Sequence, residues 1–517
     1  MTAQADRKSL TASIPALLVR SDGRKLPPEV IARLVTARVS AALSQPAQCE
    51  LSFVTRSGSA AEEGLFALGS QLTVQVHPDS TQLFDGEVTA FELVHAADGA
   101  ATLRVRAYDR LHRLRKSRHT QVFEATSPSE LAQTLTGMPV TAENGGPRLD
   151  RVVHHHQHDL ELLVEVANGA GLHPVIDGKK VRLVSLEGYG DPVALRLGTA
   201  LLSARVEANL DRVVQQVRVL GWHTQRAALI DQRADAARTG RKVRLRPDAK
   251  NVGGQPERLL VERPGCGEDE MRAAAQAVLD HGAAAAVTVS AIAVGDARLR
   301  PGARVRLEGI AAGVAGVYVL TETTHTVDAR GYLTQFSTEP PRPAAQPRAT
   351  TLTMGRVTEV EDPDGCGRVR VSLPTYGDLD AGWLSVLCTG AGPGRGLVAL
   401  PDVDDTVLLA LPHGEPAAGI VLGGLYGTVS PPDAGTAHGR VRRWSLQTAG
   451  GQRLLVDDDN QSLILRNNAG SHLDLGEKDV LLHAAGDLVI RAPGHSIKIQ
   501  AASVDFVQAL VPTEGGI

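Results

Sequence analysis

Residues 480–506 read VLLHAAGDLVIRAPGHSIKIQAASVDF. Four apolar pairs stand at positions i and i+2: Val480/Leu482, Leu488/Ile490, Ile497/Ile499 and Val504/Phe506. Alternation with a period of two marks strands, and these strands are very short. Successive pairs begin 8, 9 and 7 residues apart, with Gly470, Gly476, Gly486 and Gly494 as punctuation. Each strand offers one narrow apolar face. A single chain of such strands has too little to pack against and leaves its hydrogen-bonding edges open. Three copies wound about one axis bury the face and pair the edges. The pattern therefore predicts a homotrimer with a triple-stranded β-helix or β-prism over 448–507. Those eight residues form its core along the trimer axis.

Upstream lies a polar joint, 429–447. Before it, residues 351–428 form a compact β unit, with strands predicted at 354–361, 368–373, 383–386, 407–411 and 419–425. The turn Asp362-Pro363-Asp364-Gly365 has strong hairpin chemistry. Five strands in so short a stretch fit an OB-fold barrel. A linker at 341–350 sets this unit off. Its surroundings, Glu339-Pro-Pro-Arg-Pro-Ala-Ala-Gln-Pro-Arg348, hold four prolines and predict an extended spacer.

The remaining chain reads as mainly β with a small α/β insert. Strands are predicted at 35–43, 48–54, 72–76, 87–95 and 101–108, within a first β-barrel over 1–123. The segment 28–43 also fits helical spacing. The insert, 124–195, opens a short helix at Ser127-Pro128 and runs a second from 158 to 170 with the stripe Leu160, Leu163, Val164 and Ala167. Strands at 172–176 and 180–184 follow. Residues 196–340 return to β structure around one helix at 268–281, whose start is acidic (Glu268, Asp269, Glu270). The polar stretch 228–255 reads as a long loop.

The two β regions echo one another. Gly86, His95 and Asp98 are matched by Gly316, His325 and Asp328 at a common spacing of 230 residues. Gly69-x-x-Leu72-x-Val74 is echoed by Gly302-x-x-Val305-x-Leu307. Two related β-barrels in one chain are expected.

Bulk composition sets limits. The 517 residues exceed a single core. Aromatic residues make up only 3%, so cores must use small and branched aliphatics, which favours thin β layers. The net charge of -4, with both signs interspersed, argues against a nucleic-acid partner. Cys49, Cys266, Cys366 and Cys388 form no CxxC pair and no disulfide framework. The polar start, Met1–Arg7, is followed by no apolar h-region, so no signal peptide is expected. No run of about 18 apolar residues exists, so no stable membrane insertion is expected.

Several segments have chemistry to weigh. His154, His155, His156 and His158 could offer imidazoles to zinc, but no Cys or firmly placed carboxylate completes a site. A polar strand-to-helix junction is the preferred reading, and no metal or other cofactor is assigned. Gly390-Ala-Gly-Pro-Gly-Arg-Gly396 runs into a strand-like segment instead of a helix, so it is a barrel loop and no phosphate cradle. Asp457, Asp458 and Asp459 lack EF-hand spacing and read as a solvated turn. No Gly-x-Ser-x-Gly elbow is present, and no catalytic residue is assigned.

Taken together, these residues resemble a known family. Gly367-Arg-Val-Arg-Val-Ser-Leu-Pro374, Gly382-Trp-Leu-Ser-Val386, Leu400-Pro-Asp-Val-Asp-Asp-Thr-Val407 and Gly414-Glu-Pro416 through Gly424 are similar to the OB module of VgrG-like hub and spike proteins. Those proteins serve type VI secretion and phage-tail-like contractile injection particles. Phe84-Asp85-Gly86 resembles the first hub barrel, His158–Leu163 the helical insert, and Pro301–Val305 with Gly316–Val319 the second barrel. Thr448–Asp458 resembles the start of the needle, so the likeness spans 20–507.

The resemblance implies a non-enzymatic structural protein. It implies a homotrimer whose six barrels adapt a sixfold inner tube to a threefold needle. Inner-tube and baseplate proteins would be partners. The tip, 508–517, would seat a PAAR-like tip protein or cargo effector through Val507, Leu510 and Val511. Assembly would take place in the cytoplasm and action at a target envelope. The chain has no room for a muramidase between barrel and needle, and ends without an attached toxin. Its compact length leans toward an extracellular phage-tail-like particle, with a type VI spike as the alternative and a wall hydrolase or binding module further off.

Overall fold

The computed structural model describes residues 17–505 apart from 57–62, 78–80, 98–99, 156, 224–227, 249–256, 265–266, 343–348 and 428. Residues 1–425 and 426–517 form two compact units.

The first unit is organised by two sets of strands in the same chain order. The first set is Leu17–Ser21, Leu34–Ala42, Gln48–Arg56, Gln71–Val76, Thr81–His95 and Ala100–Tyr108. The second is Tyr189–Arg196, Leu201–Ala208, Val287–Val294, Ala303–Glu308, the broken pair Gly316–Val319 and Glu322–Asp328, and Gly331–Ser337. In each set the second strand pairs with the third, the third with the sixth, the sixth with the fifth and the fifth with the fourth, all antiparallel. The sets differ at their first strand, which meets the fourth antiparallel in one and parallel in the other. The repeat read from the sequence is thus a repeat of topology.

The two sets do not stand apart. Glu322–Asp328 pairs antiparallel with Leu34–Ala42, and one eleven-stranded sheet runs through both. The join costs no exposed edge on either side.

The repeated glycines have a common steric reason. A Cβ on Gly86 would lie 2.2 Å from the Tyr108 carbonyl oxygen, and one on Gly316 would lie 2.1 Å from that of Lys242. Only glycine lets the backbones approach so closely. The histidines are less alike. His325 is buried, with Nε2 2.9 Å from the Leu299 carbonyl and Nδ1 3.0 Å from both the Tyr332 and Thr334 hydroxyls. His95 is exposed, and Asp98 lies outside the described residues.

Residues 228–255 are not one long loop. Ala228–Ala234 is a strand antiparallel to Gln216–His223, and Lys242–Val243 pairs with Gly316–Val319. Among its described side chains Ile230 and Ala234 are buried, against Met271, Ala275 and Leu279 of the helix Glu268–Ala285, while Asp231 and Arg233 are exposed, so the sequence shows little apolar alternation there. That helix runs four residues beyond the expected end through an alanine-rich turn, which costs little in helix propensity. At 28–43 a short helix, Pro28–Ile31, precedes the strand Leu34–Ala42.

The insert holds the helices Pro128–Thr136 and Asp159–Gly169, each with a capping box: Ser127 with Glu130, and His158 with Glu161. Of the second helix, Leu160, Leu163 and Ala167 are buried as expected, and Leu162 is buried as well. The insert rests on the barrel that follows. Val153 belongs to the barrel's core, Arg151 reaches the Asp380 carbonyl, and His155 Nε2 lies 3.1 Å from the Gly414 carbonyl.

That barrel is closed, in the order Thr351–Glu359, Val369–Leu373, Leu379–Val386, Ile420–Gly424, Thr406–Leu411. Its first hairpin is locked by Asp362, which accepts from the amides of Asp364 (3.1 Å) and Cys366 (2.9 Å) and from Arg368 Nε (3.0 Å). The Arg368 guanidinium holds the Asp362 carboxyl well below the usual carboxylate range. Both side chains are almost inaccessible, at 5% and 4% exposure.

Two outcomes follow from these contacts. Gly86→Ala forces the sheet apart at Tyr108 and should lower stability by about 1–3 kcal/mol, read as a displaced hub transition in scanning calorimetry. Asp362→Ala removes the acceptor of two hairpin amides and one of the two carboxylates on Arg368, leaving Asp364, and should cost the barrel about 1–3 kcal/mol. Since the folded Asp362 value lies below the unfolded one, the pair's contribution is complete above about pH 4 and fades as pH falls further. A pH series of denaturant melts should show wild type converging on Asp362→Ala in acid.

Candidate functional site

The second unit is built on a five-stranded antiparallel meander: Arg443–Gln447, Arg453–Asp457, Ser462–Arg466, His472–Leu475 and Val480–His483. Its register lines up two cross-strand rows. One runs Leu446, Leu454, Leu465, Leu473, Leu482, each opposite the next. The other runs Trp444, Val456, Leu463, Leu475, Val480. The rows are two residues apart on every strand, so both lie on one face, and that face is wholly apolar.

The opposite face is mixed. It carries Arg443, Arg453, Asp457, Arg466 and Asp474 beside Leu455 and Ile464, and the opposed His472 and His483 rings stack at 4.9 Å. Behind the first two strands Asp433 accepts from Arg443 (2.9 Å) and Arg453 (3.0 Å), and those guanidinia hold its carboxyl below the usual range. Asp457 accepts from the amides of Asp459 (2.9 Å) and Asn460 (3.1 Å), so the triple-Asp segment is a self-bonded turn.

Among the described residues of the second unit, nothing covers the apolar face. Trp444 is 72% exposed, Leu482 57% and Leu465 42%, where such residues are ordinarily inside. A contiguous apolar face of this kind marks an interaction surface.

The expected core residues fall into three groups. Val480 and Leu482 lie on the last strand and on the apolar face. Leu488, Ile490, Ile497, Ile499 and Val504 are all exposed, and the chain carrying them forms no strand. The strands expected there are not formed in the single chain. Phe506, Val507, Leu510 and Val511 lie outside the described residues. The face extends further upstream than the sequence reading placed it, to Trp444 and Leu446. Its signal was present as alternation at 444–446 and 454–456, inside a segment read as joint and needle start.

The histidine run is dispersed. His155 faces the OB barrel, His158 caps a helix through its Nδ1, and His156 lies outside the described residues. His154 is buried beside Asp159 and meets His119, from far upstream. The Gly390–Gly396 loop closes on itself through paired backbone bonds between Gly392 and Arg395, and leads into no helix.

Residues 40–331 match the family model of the phage tail baseplate hub (GPD). The chain belongs to that family. Residues 353–426 match the injector OB domain of type VI secretion systems and phage baseplates, the span of the closed barrel. The fold is similar to the E. coli c3393 protein, a type VI secretion component described as structurally similar to phage T4 tail proteins gp27 and gp5. Identity is 14%, the TM-score is 0.52, and the match covers 79% of this chain and 99% of that one. It is also similar to the lidded Francisella PdpA–VgrG complex, at 8% identity and a TM-score of 0.54, covering 90% and 79%. A lidless PdpA–VgrG complex gives 8% and 0.54, covering 91% and 99%. No curated protein matches the chain. By family the chain is a phage baseplate hub protein that also carries an injector OB domain. Among the described residues no helix is long and apolar enough to cross a membrane.

On this hub protein the exposed leucine row makes a sharp expectation. If copies of the chain pack on this face, Leu465→Asp, which places a charge at its centre, should abolish their association in light scattering, whereas Arg466→Ser on the opposite face should leave it intact.

Proposed function

We propose that this chain is the trimeric hub and central spike of a contractile injection particle. Three copies of the C-terminal ladder pack their apolar faces about one axis, and the segment 484–505 pairs between copies to extend the needle. The ten-residue apolar face of the meander carries this reading, because one chain leaves it in water. Burying a Leu or Val side chain yields roughly 1.5–3 kcal/mol, so ten in each of three copies supply ample driving force.

At the other end, two strand sets in each of three chains present six similar units, suited to a sixfold inner tube and the surrounding baseplate proteins. Sheath contraction then drives a rigid point through a target envelope, with strands paired on both edges to resist unfolding. The segment Val507, Leu510 and Val511 is the proposed seat of a PAAR-like tip protein or a cargo effector. The particle is assembled in the cytoplasm. No catalytic residue is invoked.

Light scattering on the purified chain tests the reading. A mass near three times 54.5 kDa is expected, and a stable monomer overturns it. Ile490→Asp and Ile499→Asp should each break the trimer, and their assembly as wild type would remove the needle. Clearing of a peptidoglycan suspension by the pure protein would favour a wall hydrolase instead.

A further inference from the structure

Three separate segments bring His119, His154 and Asp159 together in the insert, with one ligand atom of each within 4.8 Å of the others. The placement follows from the fold. Gln121–Thr126 pairs with Leu149–His154, with His154 opposite Gln121, so His119 lies just beyond the end of that ladder. The Asp159 amide donates to the Ser117 carbonyl at 3.0 Å, which draws the segment before His119 onto the first turn of the helix Asp159–Gly169.

The distances form a pattern. His119 Nδ1 is 3.1 Å from Asp159 Oδ1, and His154 Nε2 is 3.6 Å from the same oxygen. His154 Nε2 is also 3.1 Å from the Gln157 carbonyl oxygen. A tetrahedral zinc site with bonds near 2.0–2.1 Å has ligand atoms about 3.3 Å apart. The three separations straddle that value. Two imidazole nitrogens, a carboxylate oxygen and a carbonyl oxygen make a ligand set suited to a borderline first-row ion.

Burial adds a charge argument. The Asp159 side chain is 5% exposed and that of His154 is fully buried. Among the described residues, the groups within ion-pair reach of Asp159 are these two imidazoles and no lysine or arginine. A buried carboxylate needs a compensating cation or a full set of donors. His154 Nδ1 is buried without a hydrogen-bond partner, so Nε2, turned into the cluster, is the nitrogen of that ring with polar neighbours. His119 is 56% exposed, which leaves an entry path.

We propose that His119, His154, Asp159 and the Gln157 carbonyl bind one Zn²⁺ per chain. The ion fastens the loop before Gln121 to the start of the helix Asp159–Gly169, beside Val153 and His155, which touch the OB barrel. Its role is structural: it secures the insert on the barrel.

The full chain, stripped with chelator and desalted, is titrated with Zn²⁺ by calorimetry, with metal content read by mass spectrometry. One retained Zn²⁺ per chain is expected, with a rise in the thermal midpoint. Co²⁺ in its place should give the visible absorption of a tetrahedral site. His119→Ala removes an exposed ligand, and circular dichroism verifies its fold. It should weaken binding at least as much as loss of a supporting contact does, about ten- to a hundredfold. Asp159→Asn should do the same. His472→Ala, which alters the stacked pair on the distant ladder, should leave that equivalent in place. Absence of stoichiometric Zn²⁺ in wild type overturns the site, and so does equal binding by wild type and His119→Ala. In either case Asp159 is simply a polar neighbour of the two imidazoles, hydrogen-bonded to His119.

Discussion

An unpaired strand edge must find a partner, and each part of this hub protein answers that demand differently. In the hub, Glu322–Asp328 of the second strand set pairs with Leu34–Ala42 of the first, so two half-formed sheets become one. In the OB barrel the edges meet each other and close. In the C-terminal ladder, among the described residues, the last strand, Val480–His483, pairs with His472–Leu475 alone, and the apolar segments beyond it form no strand. Two of the three solutions are internal. The third is the one that the proposed trimer would supply.

Polar contacts fix what the sheets leave free. Asp362 and Arg368 lock the barrel's first hairpin from inside, and Asp433 gathers Arg443 and Arg453 behind the first ladder strands. Arg151 seats the insert on the barrel through the carbonyl and carboxylate of Asp380, and His155 through the Gly414 carbonyl and the Tyr376 ring. The proposed zinc site sits a few residues from these contacts. The insert is thus held on the barrel by contacts concentrated in a few neighbouring residues.

Much of this was legible as pattern. The barrel's strands, the capped helix at Ser127 and the glycines spaced by 230 residues follow from alternation, capping chemistry and steric demand. Each is a local rule applied to neighbouring residues. The strand Ala228–Ala234 was missed because, among its described side chains, just Ile230 and Ala234 are inward, and alternation needs more than that to be seen. His119 was missed for another reason. It lies 35 positions before His154, and nothing local to either residue announces the meeting.

By itself the sequence determined the kind of most elements in the hub and barrel and the apolar alternation of the C-terminal ladder, since both depend on side-chain period and apolar area. Only the tertiary structure decided the rest. It set the register that stacks ten apolar side chains on one face, and the pairing that merges two strand sets into one sheet. It also brought His119, His154 and Asp159 to one point. These depend on which distant segments lie side by side, and that is settled by closing edges and filling cores, not by any residue's neighbours along the chain.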